Sequence, residues 1–401
     1  MQRADVVVVG GGPAGSATAI TLARSGRQVL LVDKATFPRD KCCGDGLTAG
    51  ALRHLEALGL DPARVPSWHL VDDVLVRSPS GREATFPLPR GQGSYAVVAR
   101  RRDLDAALLD VVREAGVEVL EGHALRGADQ QPHRVVLDVD GLGPVQARYA
   151  VGADGMWSPL RRFVAGSGGY RGDWHAFRQY LKQVSPRASR ELAVWFDDDL
   201  LPGYAWSFPL PDGRANVGYC VPRDGDWTGA QLSRTWGDLV ERPHIRDFVG
   251  PRAVPEAPHR AWPIPSRIDR AVATCGRVLF VGDAVAAADP MTGEGIGQAL
   301  QTGVLAAGAL LSNGPDEPAA AAAAYERALR RELVADHRMS ATLGALLSHR
   351  RAARGAVRLA GWSPWTRHEF GRWLFEDEPR AAILTPRRWH RRFLARTGAY
   401  P

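Results

Sequence analysis

At 401 residues and 45% apolar content, the chain is long enough for two or three packed units and too apolar for a disordered polypeptide. Its formal charge of +7 is almost wholly arginine, since Lys34, Lys41 and Lys182 are the only lysines. No basic tract adjoins a nucleic-acid motif, which excludes nucleic acid as an expected partner.

Cys42, Cys43, Cys220 and Cys275 show neither a disulfide framework nor metal-ligand spacing, so a reduced, cytoplasmic setting without a metal is expected. The N-terminus enters an apolar run within five residues, so no signal peptide is expected. No stretch reaches the roughly eighteen unbroken apolar residues of a membrane span. The expected protein is soluble, or at most peripheral to a membrane.

In chain order, Val6 to Val9 form an apolar run without polar alternation, as in a parallel strand covered on both faces. Gly10, Gly12 and Gly15 follow with G-x-G-x-x-G spacing. The first suits the turn, the second lets backbone approach a pyrophosphate, and the third packs helix on strand. A helix over Ala14 to Arg24 is expected to stop at Gly26. Val29 to Val32 then form a second strand ending in Asp33, an acid placed for the hydroxyls of an adenosine ribose. A glycine-rich turn without a ligand is the bland alternative; the order strand, helix, strand, acid argues against it.

The next loop packs Arg39, Lys41, Cys42, Cys43 and Asp45 into seven positions. Elsewhere this would be a solvated charged loop, but after the second strand of a dinucleotide fold it is expected to lie along the cofactor. Thr48 or a neighbour caps a helix with Leu52, Leu55 and Leu58 on its apolar face. Residues 68–98 alternate as two strands around Pro79 to Gly81. A helix follows with Leu104, Leu108, Val111 and Val112 on one face, ending at Gly116. Arg100, Arg101 and Arg102 open it, an unfavourable placement unless they meet an anion. Val117 to Leu120, Val135 to Val139 and Val145 to Val151 read as strands leading into Gly152-Ala153-Asp154-Gly155.

From Gly166 to Pro265 the texture changes, with Trp174, Trp195, Trp206, Trp227, Trp236 and Trp262 among short β-like runs. A mostly antiparallel sheet in a separate lobe is expected. Tyr204, Trp206 and Phe208 share one strand face, and by spacing alone such aromatics are more often core than pocket. A buried strand returns at Arg277 to Val281. It runs into Gly282-Asp283-Ala284, a loop with Pro290, Gly293, Gly295 and Gly297, and a helix. Two such sites far apart in the chain suit the two ends of one long dinucleotide. Helices over Ala319 to Leu347 follow. An Arg-rich tail with Trp362, Trp365, Trp373 and Trp389 is expected to be a helical cap with solvated charge.

The three motifs together resemble the FAD-dependent oxidoreductases of the para-hydroxybenzoate hydroxylase fold over roughly residues 4–310. The resemblance implies an α/β fold: a Rossmann-like FAD-binding domain, an antiparallel-sheet substrate domain and a C-terminal helical segment. The corresponding ranges are 1–70, 100–165 and 272–345 for FAD, 71–99 and 166–271 for substrate, and 346–401 for the helical cap. Non-covalent FAD would be held by Gly10, Gly12, Gly15, Asp33, Arg39, Arg101 of the R-x-x-L-D pattern, Asp154, Gly155, Gly282 and Asp283. Pro290, Gly293, Gly295 and Ile296 would bring backbone N–H groups to the flavin ring.

Within that fold, Phe37 to Leu47 (F-P-R-x-K-x-C-G-D-G-L) and Tyr204 to Pro209 (Y-x-W-x-F-P), followed by Asn216-Val217-Gly218, resemble the geranylgeranyl reductase family. The resemblance makes Cys43 the cysteine beside the flavin and Tyr204, Trp206 and Phe208 the lining of a prenyl pocket. Cys42 stands where the family often has proline. Flavin-dependent halogenases carry W-x-W-x-I-P at the aromatic segment, a pattern that Tyr204 and Phe208 break. One dinucleotide fingerprint and no C-x-x-x-x-C imply that electrons come from transiently bound NAD(P)H or a separate donor. An isolated alkene needs a positioned acid to protonate one carbon as hydride reaches the other. Cys43, Asp45 and Tyr204 are the available donors, and the sequence does not choose among them. The expected substrate is an apolar small molecule or lipid-like isoprenoid reduced at C=C. Oxygen transfer to an aromatic or terpenoid substrate is the competing chemistry, and halogenation or a substrate-free electron carrier are minor alternatives.

Overall fold

The computed structural model describes residues 2–166, 168–223, 229–382, 385 and 396–401; Trp227 and Trp389 lie outside them. The four valines near the N-terminus belong to the strand Arg3–Val9, in which Val6 to Val9 are buried, as in a strand covered on both faces. It pairs in parallel with Val29–Asp33 on one side, Val7 opposite Leu30, and with Gly143–Gly152 on the other, Val8 opposite Val151. Glu118–Glu121 and Val278–Phe280 extend the parallel sheet outward on its two sides.

Helix Pro13–Arg24 makes the crossover, and the chain turns at Gly26, where φ is +78°. This helix packs so closely on Ile296–Leu311 that a Cβ at Gly303 would lie 2.3 Å from the Ala14 carbonyl oxygen. The expected helix after the charged loop is Ala49–Ala57, with the Thr48 hydroxyl accepting from Ala51 N–H at 3.3 Å. The arginine-led helix is Arg101–Glu114.

The second sheet runs through Trp174–Lys182, Arg214–Pro222, Tyr204–Leu210, Leu192–Trp195, Asp73–Arg77 and Glu83–Pro87. It is antiparallel except where Leu192–Trp195 pairs in parallel with Asp73–Arg77. The two strands expected around Pro79 to Gly81 are thus an edge hairpin of this lobe. A small third sheet of Gly46–Thr48, Ala96–Val98 and His69–Leu70 lies where the cysteine loop ends.

Three features depart from the sequence reading. Leu125–Gln131 is a strand of a meander on the first sheet; its partly exposed residues carry no apolar alternation. Gly229–Val240 and Pro243–Val249 are helices in a lobe read as essentially β. Leu232, Trp236 and Leu239 of the first pack with Phe248 of the second against Trp195 and Tyr219 on the back of the sheet. In the tail, Arg372, Asp377 and Arg380 are buried, with Arg372 Nε donating to Asp377 at 2.6 Å. The charge of these three is held inside the protein, whereas Arg351, Arg354 and Arg358 of the same tail are exposed, as expected. The helices Arg350–Ala360 and Pro364–Leu374 bring Val357, Ala360 and Phe370 against Phe86 and Leu88 of the second sheet.

Candidate active site

One continuous cavity of about 870 Å³ runs from the C-terminal ends of the parallel strands to the inner face of the second sheet. At its first end, helix Pro13–Arg24 starts from Gly12 with no side-chain cap, leaving first-turn N–H groups directed at the cavity. A Cβ built on Gly12 would meet only the guanidinium nitrogens of Arg39 at 3.5 Å and Arg101 at 3.8 Å. Both guanidinia are fixed by Asp105, which is fully buried. Arg101 makes two hydrogen bonds of 2.8 Å to it and Arg39 approaches at 3.2 Å. Two arginines and an uncapped helix start therefore converge on one point, a cradle for an anion. Asp33 lies beside it, accepting from Gly11 N–H at 2.7 Å and Ala35 N–H at 2.8 Å, so it shapes the glycine turn as well as facing the cavity.

Gly10, Asp154, Gly155, Gly282, Asp283, Gly293, Gly295 and Ile296 line the same cavity, as do Gly12, Asp33, Arg39, Cys43 and Arg101. Gly15 and Pro290 do not. Gly15 sits behind the turn, where a Cβ would fall 1.8 Å from the Gly10 carbonyl oxygen. Its lack of a side chain lets the helix close on the strand.

Midway along the cavity is the cysteine loop. Asp45, at φ +66°, is fully buried, and its carboxylate accepts from Tyr180 O–H at 2.6 Å, Asn216 Nδ2 at 2.8 Å and Arg101 N–H at 3.3 Å. Burial pushes this carboxyl up to about 6, against the pull of the hydrogen bonds from Tyr180 and Asn216. Tyr180 is held between the guanidinia of Arg178 and Arg100, at 4.1 and 4.3 Å from the ring centroid. Cys43 Sγ accepts from Asp45 N–H at 3.3 Å, and burial pushes its thiol up to about 12. Cys42 Sγ instead donates to the Arg260 carbonyl at 3.6 Å, with its thiol raised by burial to about 11.

Tyr204, Trp206 and Phe208 form a ladder along the cavity wall, with successive ring centroids 6.0 Å apart. Trp206 donates Nε1–H to Asn216 at 3.2 Å, and Asn216 donates to the Cys43 carbonyl at 2.8 Å. The aromatic wall and the cysteine loop are thus one hydrogen-bonded unit. Tyr204 O–H donates to the Thr292 carbonyl in the loop before Ile296. Opposite, the C-terminal helices close the apolar arm with Leu347, Val357, Phe370 and Leu374. Sequence reasoning missed this wall, along with Asp105 and Tyr180. Tyr180 had a signal: Ala176, Arg178 and Tyr180 alternate along a strand with two large polar groups on one face.

Glu294 was also missed. It lines the cavity, accepts from Gly297 N–H at 2.8 Å, and faces Glu376, which accepts from Thr48 O–H at 3.0 Å and Gln298 Nε2 at 2.9 Å. Burial and the Glu376 charge hold its carboxyl above the usual range. A raised folded-state value means the favourable contribution is full at acid pH and lost as pH rises through the folded value. Glu294→Gln should therefore flatten the fall in melting temperature between about pH 5 and about pH 8, with its largest relative gain at the upper end. Parallel slopes for the two proteins would show that Glu294 carries no such strain.

The residues present fit FAD. The anion cradle suits its pyrophosphate, and Gly155, at φ +78°, has open space where a Cβ would stand. Asp154 Oδ1 is a buried acceptor without a protein partner. The family model described as FAD binding domain matches residues 3–314. Menaquinone reductase of Mycobacterium tuberculosis is 37% identical over 336 residues, 76% of each chain. Digeranylgeranylglycerophospholipid reductase 1 of Methanopyrus kandleri is 32% identical over 310 residues, 75% of this chain and 79% of that protein. A geranylgeranyl bacteriochlorophyll reductase-like protein of Thermoplasma acidophilum superposes with a TM-score of 0.81 at 21% identity, over 97% of this chain and 100% of that one. With the FAD-binding model matched over residues 3–314 and reductases as relatives over three quarters of its length, the chain belongs to the geranylgeranyl reductase family of FAD-dependent oxidoreductases.

Proposed function

We propose that the protein reduces carbon–carbon double bonds of a prenyl chain carried by a lipid or quinone. The observation that carries this reading is the continuity of the polar cofactor groove with an apolar arm, the two meeting at Cys43. The arm is apolar on both walls, with the Tyr204, Trp206 and Phe208 ladder on one and Leu347, Val357, Phe370 and Leu374 on the other, which suits a flexible hydrocarbon. The names of the two relatives support the same substrate class. FAD, when bound and reduced, supplies the hydride; its electrons come from NAD(P)H or a separate donor.

The chain's own residues then divide the work. Gly10, Gly12, Asp33, Arg39 and Arg101 hold the ADP half, with Asp154, Gly155, Gly282 and Asp283 holding the remainder. Gly293, Gly295 and Ile296 offer backbone N–H groups near the ring. Tyr204, Trp206 and Phe208 lay the chain along the sheet and exclude water. Cys43 is the donor the geometry favours. Tyr204 already spends its O–H on Thr292, and the Asp45 carboxylate is committed as an acceptor to three donors. Cys43 uses its sulfur lone pair on Asp45 N–H, so its S–H is available to the cavity. Asp45 acts as a positioning residue that fixes the loop. So apolar a substrate would be met at a membrane face.

Anaerobic incubation with reductant and a geranylgeranyl lipid should add two hydrogens per double bond, read by mass spectrometry. Insertion of oxygen on admitting air, with no saturation beforehand, would overturn the reading. Trp206→Ala should raise KM for the prenyl lipid roughly tenfold or more, because an aromatic side chain of this size contributes on the order of 1.5–3 kcal/mol on burial. The rate of flavin reduction should be little changed. An equal loss toward small soluble acceptors would make Trp206 structural only.

A further inference from the structure

Nothing in the reduction chemistry uses the outer face of the C-terminal helices. From His337 to His368 the chain carries arginine at 338, 350, 351, 354, 358 and 367 and not one acidic residue. Helix Arg350–Ala360 divides this segment cleanly. Ala353, Val357 and Ala360 are buried, and Ala353, Ala356 and Val357 form part of the cavity wall. Arg351, Arg354 and Arg358 are exposed on the other side, and no carboxylate is paired with them among the described residues. Arg350 alone is paired, with Asp198 at 3.0 Å.

Where this helix ends, Leu359 is 67% exposed, Trp362 75% and Trp365 68%, and Leu346 on the preceding helix Ala335–Leu347 is 56% exposed. Four large apolar side chains at such exposure are costly in water. Their neighbours Arg351, Arg354 and Arg358 have no carboxylate paired with them among the described residues. This is the composition of an interfacial helix, with tryptophan at headgroup depth, leucine in the acyl region and arginine on phosphates. No helix among the described residues is long and apolar enough to cross a membrane, so the contact would be one-sided.

We propose that the turn between Arg350–Ala360 and Pro364–Leu374, with its arginine rim, docks the enzyme on the surface of an anionic lipid bilayer. The charge complementarity selects the partner: unpaired arginines match acidic headgroups, and the exposed indoles match the layer beneath. The inference rests on the prenyl-lipid reading for its purpose, since the helix that touches the bilayer on one face bounds the apolar arm on the other. A lipid tail would then travel from bilayer to cavity without crossing bulk water.

The test is flotation of the FAD-loaded enzyme with vesicles of phosphatidylglycerol and phosphatidylcholine, against pure phosphatidylcholine vesicles. The parent should float with the anionic vesicles and be released by high salt. Each arginine near the surface should contribute about fivefold to the partition coefficient, so Arg351→Gln/Arg354→Gln/Arg358→Gln together should lower it about a hundredfold. Trp362→Ser/Trp365→Ser should weaken binding even at low salt. Both variants should keep the parent's FAD content, melting temperature and rate on detergent-dispersed prenyl lipid, since none of these residues lines the cavity. A parent that ignores anionic vesicles, variants that float like the parent, or self-association through this face detected by light scattering would each overturn the docking surface. Loss of flotation in the variants, with no reduction of detergent-dispersed lipid by any form, would leave the surface standing and overturn the prenyl reading instead.

Discussion

Cys43→Ala should retain FAD and prenyl lipid and yet turn over roughly 10²–10⁴-fold more slowly, the span of a lost general acid. The expectation follows from what surrounds the sulfur. Burial holds the group as a thiol up to about 12, so it is protonated throughout the working range. The Asp45 N–H occupies a sulfur lone pair, and the Asn216 amide grips the Cys43 carbonyl, so the side chain cannot swing away. Arg101 lies close enough to favour the thiolate left after proton transfer. Serine retains a donor at nearly the same place, and Cys43→Ser should recover part of the rate. If Cys43 merely fills space, the order reverses: alanine is tolerated, and serine adds a hydroxyl to a buried site. Cys42→Ala is the control and should be nearly neutral, because the Cys42 thiol points to the Arg260 carbonyl. The pH profile tests the burial of the thiol. Held protonated to about 12, it gives no loss of rate as pH rises through the ordinary thiol range. A fall centred near about 8.5 that is absent from Cys43→Ala would mark an unperturbed thiol.

The cofactor half was legible because its physics is local. Buried parallel strands read as unbroken apolar runs, and glycine spacing at a strand–helix turn has one geometric use. Arg101 at a helix start is likewise an anomaly in the sequence, and the buried Asp105 four residues on pairs it within the protein. The substrate half was less legible because its parts meet across long sequence separations. Asp45 is explained by Tyr180 and Asn216, 135 and 171 residues away, and no local pattern announces that meeting. Tyr204, Trp206 and Phe208 illustrate the ambiguity: by spacing alone period-two aromatics are more often core than pocket, and here they line a cavity together with the helices folded back from beyond Leu347. The helix Gly229–Val240 escaped for a related reason. Its Leu232, Trp236 and Leu239 have helical spacing, but a single apolar stripe among tryptophan-rich strands reads as more of the same.

Gly15→Ala tests the cofactor half where it is most sharply determined. The added methyl carbon would stand 1.8 Å from the Gly10 carbonyl oxygen and 3.1 Å from Ala153 Cβ. Both obstacles belong to turns that face the cavity, so no side-chain rotation relieves the clash. Either the helix Pro13–Arg24 moves off the sheet, losing its close packing on Ile296–Leu311, or the Gly10 turn moves into the space where the pyrophosphate is to lie. Overpacking typically costs about 1–3 kcal/mol, and a clash with backbone belongs at or above the top of that range. The expected protein is colourless or nearly so after purification and melts several degrees lower. Gly308→Ala is the matched control, a helical glycine with nothing within 4 Å of its ideal Cβ. There the methyl reduces only the freedom of the unfolded chain, and stability should rise by about 0.5–1 kcal/mol. Visible absorbance and a thermal melt on the two variants decide the matter. A Gly15→Ala protein that purifies with full FAD and an unshifted melt would mean that the helix start is not wedged against the Gly10 turn.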